Sequence, residues 1–330
     1  MNLPPLIEWI PNISTGNPRE IAELERLFQK LPDIYLLHTD IGPAVNRTVF
    51  TIAGTMGGLR NALFELLGWI GQKIDMGLHK GTHPRLGALD VSPYVMLRGG
   101  TREGTLLWIR ELAKEVSDLF QFPIYLYEQS ASHPDRINLA EIRRGEYEGL
   151  EKKLADPVWA PDFGGVFNAR MGATVMGLRD FLIAYNVNLD TDDLAVAKSI
   201  AGQIRHKGNP HRRYALPGVK AIGWHLEGPG FCQVSTNITR SRDATPLDVY
   251  ERCRILAEEM GCRVTGSELI GLIPHHSVLA MQNGRLTTTE LARHLGLEYC
   301  GIGDLKSRII EYKVYLVSGK SIYNEIFETS

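Results

Sequence analysis

Cysteine is scarce, with four residues (Cys232, Cys253, Cys262 and Cys300) in a chain of 330. All four lie in the second half, none forms a CxxC pair, and their spacing is not that of a secreted disulfide framework, so they read as reduced thiols in a cytoplasmic protein. Charge of one sign is missing too. The 36 Lys and Arg nearly balance the 38 Asp and Glu, which argues against nucleic acid or an anionic membrane as partner. No apolar run reaches the roughly 18 residues of a membrane span. The N-terminus MNLPPLIEWIPN has no basic region and is broken by prolines, so neither export nor insertion is expected. There is no GxSxG, no P-loop and no complete GxGxxG after a strand, which leaves nucleophilic-serine and dinucleotide chemistry without support. SGKS at Ser318 lacks the rest of a Walker loop. A small-molecule ligand is the default that remains.

What is present is apolar content of 44%, enough for a sizeable core and, at this length, two domains. LIEWI reads as a proline-bounded strand, and Ile21, Leu24, Leu27, Phe28 and Leu31 recur at helical spacing after it. IYLLHTD and RTVFTIAG are β-rich runs joined by a short loop with Gly42 and Pro43. Leu59, Ala62, Leu63, Leu66, Leu67 and Ile70 share one helical face, and LDVSPYVML is a further strand. The order is βαββαβ. A helix from Arg102 to Phe120 and the strand IYLY follow.

The second half repeats that order: FLIAYNVNL, a helix from Asp193 to about Lys207, VKAIGWHLE, FCQVSTNIT, then helix and strand again. Its second helix carries Thr245 as N-cap, Pro246 at the first position and Gly261 past the end. Residues 130–177 are polar and rich in Gly and Pro, the expected connector and a candidate ligand loop. The fold expected is α/β of the α+β kind, with domains 1–177 and 178–330, each a βαββαβ unit with both helices on one sheet face, and a cleft between them as the natural site.

HKGTHPRLGALD, His79 to Asp90, concentrates chemistry. His79 and His83 are four apart, the spacing that puts two imidazoles on one helical face for zinc, but Gly81 and Pro84 oppose that helix and no HExxH glutamate follows. They are either two solvated loop histidines or a proton-transfer site, since imidazole titrates near neutrality and the glycines permit close approach of a substrate. Lys80 and Arg85 supply positive charge for a carboxylate, or are solvated surface charges. In TDIGPAVNRT, Asp40 ends a strand and Asn46, Arg47 and Thr48 begin the next, gathering polar groups at one sheet end; Asp40 would equally serve as a turn cap. From Trp159 to Gly177, aromatics interleave with small residues, suiting a flat heteroaromatic ring or a plain linker. Asn186 and Asn188 share one strand face, where paired amides could read a pterin-like edge or satisfy loop backbone.

EWIPNIS, TDIGPAVNRTVFT, IDMGLHKGTHPRLGALDVSPYV, GEYEGL, WAPDFG, GATVMGLRDFLIAYNVNL, VKAIGWHL, QVSTNI, GSELIGLIP and RIIEY occur in the order found in one family, from Leu6 to about Val317. The sequence resembles the glutamate formimidoyltransferase (formiminotransferase) family. In bifunctional relatives this transferase precedes a cyclodeaminase domain, for which this chain has no room, so a stand-alone transferase is expected. The resemblance implies two ferredoxin-like subdomains forming a folate cleft, a homodimer, tetrahydrofolate as co-substrate and no metal. It implies transfer of the formimidoyl group from N-formimidoyl-L-glutamate to N5 of tetrahydrofolate.

The family's catalytic histidine in KGxHPR falls on His83, and its glycine-rich folate segment on Gly164, Gly165, Val166, Phe167, Asn168, Ala169, Arg170, Met171, Gly172 and Ala173. Asp40 would orient His83 or stabilise the cationic amidine; Asn46, Arg47, Lys80 and Arg85 would hold substrate, and Asn186 and Asn188 folate. The chain departs from the family pattern at Thr15 (commonly acidic), Glu268 (commonly an amide) and Met171 (commonly aromatic). Rival expectations are a cyclo-ligase-like enzyme acting on 5-formyltetrahydrofolate, a non-catalytic folate binder, and a metal hydrolase using His79, His83 and Asp40.

Overall fold

The computed structural model describes residues 5–81, 83–206, 213–226 and 230–318; Thr82 of the KGTHPR motif and the tail after Ser318 lie outside the described residues. The chain divides into two compact units, Met1–Arg179 and Asp180–Ser330.

The first unit opens with a split strand, β1 (Leu6–Trp9) and β2 (Asn12–Ile13), interrupted at Pro11, which has no N–H to give a ladder. Then come α1 (Pro18–Lys30), β3 (Ile34–Gly42), β4 (Arg47–Gly54), α2 (Met56–Lys73) and β5 (Leu89–Arg98). Asn17 caps α1 by accepting from the Arg19 N–H, with Pro18 at the first helical position. The six apolar residues expected on one face of α2, Leu59 to Ile70, are all fully buried. Each of the leucines and Ile70 contributes roughly 1.5–3 kcal/mol on leaving water. β4 pairs antiparallel with β3 on one side and with β1 and β2 on the other, and these pair antiparallel with β5.

After α3 (Arg102–Phe120) and β6 (Ile124–Leu126) the chain runs through α4 (Leu139–Ile142) and α5 (Leu150–Leu154) to β7 (Thr174–Leu178). β7 lies parallel between β5 and β6. The stretch read as a connector is therefore packed into the first unit and ends as a strand of its sheet. Side chains alternate across that sheet. Ile124, Leu126 and Met176 join Trp9, Phe28, Phe50 and Leu63 in the main core, while Tyr125, Tyr127 and Val175 pack with Ile142 and Leu150 on the other face.

The second unit contains β8 (Ile183–Leu189), α6 (Leu194–Ile204), β9 (Val219–Leu226), β10 (Phe231–Ile238), α7 (Pro246–Glu259) and β11 (Val264–Ile270), followed by α8 (His275–Gln282), α9 (Thr288–His294) and α10 (Ile310–Ser318). Thr245 and Asp248 form a reciprocal capping box on α7. Its antiparallel sheet has the order β11-β8-β10-β9, and the first sheet contains the same connection as β5, β1 with β2, β4, β3. The chain is thus α+β, as expected. Ile183, Tyr185, Val187 and Leu189 enter the second core, which leaves Asn186 and Asn188 on the opposite face of β8. No helix among the described residues is long and apolar enough to cross a membrane.

Candidate active site

The hairpin turn between β3 and β4 ends on Asn46 in the left-handed region, φ +52°, a conformation that asparagine tolerates. Its amide then ties three segments together. Oδ1 accepts from the Gly16 N–H at 2.9 Å and Nδ2 donates to the Lys80 carbonyl at 2.7 Å. The Asn46 carbonyl lies 3.2 Å from His79 Nε2, while Arg85 Nε donates to His79 Nδ1 at 3.3 Å. That pair of contacts fits a neutral His79 with its proton on Nε2, and burial, first of all, lowers its pKa. Asn46 and His79 thus serve as wiring of the loop.

His83 is placed by Arg47, the first residue of β4. Arg47 Nη1 is 2.5 Å from His83 Nε2. A guanidinium only donates, so Nε2 accepts and the imidazole is neutral with its proton on Nδ1, a buried nitrogen whose one neighbouring acceptor, the Pro84 backbone, raises the pKa without making a well-formed hydrogen bond. Burial is the first cause pushing the His83 pKa down to about 3, followed by the charges of Arg47, Arg143 and Arg85. Burial also lowers Arg47, to about 10, and Arg143 adds to this; Asp90 and Asp40 oppose it. Asp40 stands on the same sheet face as Arg47, opposite Val49, so the effect of its charge is felt at Arg47.

Arg143 follows α4 and pairs with Asp90, whose side chain is 2% exposed. Asp90 also accepts from the Leu86 N–H at 2.9 Å, fixing the chain just after Arg85. Asp90 therefore does more than start β5. Arg85 is held by Glu148 through two bonds, 2.9 and 2.6 Å, and by Glu146 at 3.2 Å. Its hydrogen bond to Glu148 is the largest cause raising its pKa and lowering that of Glu148. These residues, with His79, Lys80, Gly81 and Gly145, line an open depression of about 550 Å³. Lys80 is exposed on its rim.

The glycine-rich segment divides. Gly164, Gly165 and Val166 are exposed. Phe167 packs against Tyr147 with ring centroids 5.9 Å apart and planes tilted by 39°, and the Tyr147 hydroxyl donates to the Ala169 carbonyl. Asn168 Oδ1 accepts from the N–H groups of Arg170 and Met171. From Ala169 onward the segment braces the histidine loop: Met76 donates to the Arg170 carbonyl, Ala88 to that of Met171, and Ala173 to that of Leu86. Gly172, at φ +69°, lies so close that a Cβ there would meet the Leu86 carbonyl at 2.2 Å.

On β8, Asn188 stands opposite Gln233, which stands opposite Trp224; Asn186 stands opposite Ser235 and Glu268. Trp224 Nε1 donates to Gln233 Oε1 at 2.7 Å, and Gln233 Nε2 donates to Asn188 Oδ1 at 2.7 Å and Glu268 Oε2 at 3.0 Å. Indole is donor-only, so it fixes both amide orientations. Asn188 Nδ2 is left buried without a partner among the described residues. Asn186 is 7% exposed.

The other departures are also placed. Thr15 donates to Glu20 at 2.5 Å, and Met171 is buried against the first core. Among the described residues no group of three or more His, Cys, Asp or Glu is arranged to hold a metal. Sequence reasoning missed Arg143, Glu146, Glu148, Gln233 and Trp224. The alternation of carboxylates in GEYEGL was the available signal for two of them.

The chain matches the family model for the formiminotransferase domain, N-terminal subdomain, over residues 6–179, and that for the formiminotransferase domain over 184–315. It is 34% identical over 291 residues to glutamate formimidoyltransferase of Streptococcus pyogenes serotype M1, covering 88% of this chain and 96% of that protein. It is 34% identical over 277 residues to the enzyme of the same name from Thermoplasma acidophilum, covering 83% and 90%. With formimidoyltransferase-cyclodeaminase of Mus musculus it shares 38% identity over 326 residues, 94% of this chain but 60% of that longer protein. A loop histidine set against arginines, two α+β units and matches along both place the chain in the formiminotransferase family.

Proposed function

We propose that the chain transfers the formimidoyl group of N-formimidoyl-L-glutamate to N5 of tetrahydrofolate, giving 5-formimidoyltetrahydrofolate and L-glutamate in histidine degradation. The observation that carries this reading is His83, a neutral imidazole held against a guanidinium that makes no ion pair among the described residues. N5 attacks the amidine carbon, and the tetrahedral adduct must lose a proton from N5 and gain one on the departing glutamate nitrogen. His83 takes the first and delivers the second, a role worth ~10²- to 10⁴-fold, with alignment of the two reactants supplying much of the rest.

Arg47 and Lys80 receive substrate carboxylates in this reading. Arg85 lines one depression with Lys80, its charge shared by Glu146 and Glu148, and Asp40 balances Arg47 or the cationic amidine. Candidate contacts for tetrahydrofolate, as co-substrate, are the segment from Gly164 to Ala173 in the first unit and the amides of Asn186 and Asn188 in the second. We read the shared strand order as two ferredoxin-like subdomains, one carrying the catalytic histidine, working without metal as a cytoplasmic homodimer.

Purified protein given N-formimidoyl-L-glutamate and tetrahydrofolate should form 5-formimidoyltetrahydrofolate and L-glutamate in equal amounts. Turnover of 5-formyltetrahydrofolate instead would assign it to the cyclo-ligase-like rival, and folate binding without turnover of either would make it a binding protein.

A further inference from the structure

We propose that Arg47 is a latch on the proton shuttle: its guanidinium occupies the Nε2 lone pair of His83, and a substrate carboxylate that takes the guanidinium releases it. Arg47 is then a positioning residue, and the inference rests on the reading of His83 as the shuttle. The geometry excludes a free base as the structure stands. Nε2 accepts from Arg47 at 2.5 Å and Nδ1 carries the imidazole proton, so neither nitrogen has a lone pair to spare.

The surrounding charges single out Arg47 as the receiver. Those acting on His83 are Arg47 from β4, Arg143 beyond α4, and Arg85 from its own loop, where Arg85 also donates to His79. The acids around these bases are Asp90 on β5, Asp40 on β3, and Glu146 and Glu148. Arg143 is matched by Asp90, and Arg85 by Glu148 and Glu146. Arg47 makes no ion pair among the described residues, and part of its environment is the like charge of Arg143. A carboxylate arriving there gains two parallel N–H donors, a match that guanidinium makes and ammonium does not.

Two consequences follow. The Nε2 lone pair becomes available to the reacting N5, and the added negative charge offsets the field that disfavours imidazolium. Both move His83 toward the basicity at which a proton can be taken and returned near neutral pH. The base would thus be armed in step with arrival of the anionic substrate.

The test is an NMR titration of the His83 Cε1–H in the whole chain, alone and with saturating L-glutamate, a product that bears the carboxylates without the amidine. Alone, His83 should stay neutral from pH 8 down to 5; with L-glutamate its midpoint should rise by about two units or more. Arg47→Gln should titrate above the unliganded wild type, still below the ordinary histidine value because burial, Arg143 and Arg85 remain, and should not respond to L-glutamate; Arg47→Lys should restore little of the response. An ordinary midpoint in the unliganded wild type overturns the latch, as does a midpoint that L-glutamate never moves. The wild-type titration stands even if the variants fail to fold. A titration that behaves as expected in a protein that makes no 5-formimidoyltetrahydrofolate keeps the latch and removes the transfer reading. Product formation with an unmoved His83 does the reverse.

Discussion

The two units share one antiparallel strand order but put different chemistry on the sheet face opposite their main helices. In the first that face is charged: Arg47, His83, Arg143 and Asp90 meet where β4, β5 and a loop converge. In the second it is mostly neutral, a relay from Trp224 through Gln233 to Asn188 in which Gln233 also donates to Glu268. A charged cluster suits proton transfer and anion binding, whereas an oriented amide row suits the edge of a neutral ring. One strand order can carry either because chemistry resides in the side chains placed on it.

The sharpest way to break the contrast is Asp90→Ala. It strips the counterion from Arg143, which is 15% exposed, and should cost about 3–5 kcal/mol in urea unfolding. Acid should separate the two faces next. His83 is held at about 3, below its ordinary value, so the folded chain prefers the neutral form. That stabilisation is complete above the unfolded pKa of about 6.5 and is lost as pH falls toward the folded value. Between pH 7 and 4 the wild type should lose up to ~3 kcal/mol more than His83→Gln, measured by urea unfolding at each pH. Gln233→Leu should have the smallest effect. It orphans the Trp224 N–H and the Asn188 carbonyl, costing ~1–3 kcal/mol, and should raise the KM for tetrahydrofolate while the His83 titration stays unchanged.

Local pattern made much of the fold readable. The face from Leu59 to Ile70 follows the 3.6-residue period, and Thr245 with Pro246 at the start and Gly261 past the end announces α7 by cap chemistry. β7 was not readable, because a five-residue strand inside a Gly- and Pro-rich stretch gives little periodicity, and its parallel pairing with β5 is a long-range fact. The site divides the same way. His83 and Arg47 stood out as residue types beside turns, yet nothing local announces that Arg47 meets His83 across 36 positions, Arg143 meets Asp90 across 53, or Glu148 meets Arg85 across 63. Those contacts add to burial in holding the imidazole neutral. Asp40 is a further case: its charge acts on Arg47 from the neighbouring strand, a link that its place near a strand end did not announce.

Single-turnover formation of 5-formimidoyltetrahydrofolate by wild type and His83→Ala, with both substrates saturating, tests the central claim most directly. The account predicts a rate lower by ~10²- to 10⁴-fold in the variant, with both substrates still bound. An undiminished rate in a folded His83→Ala protein would contradict it.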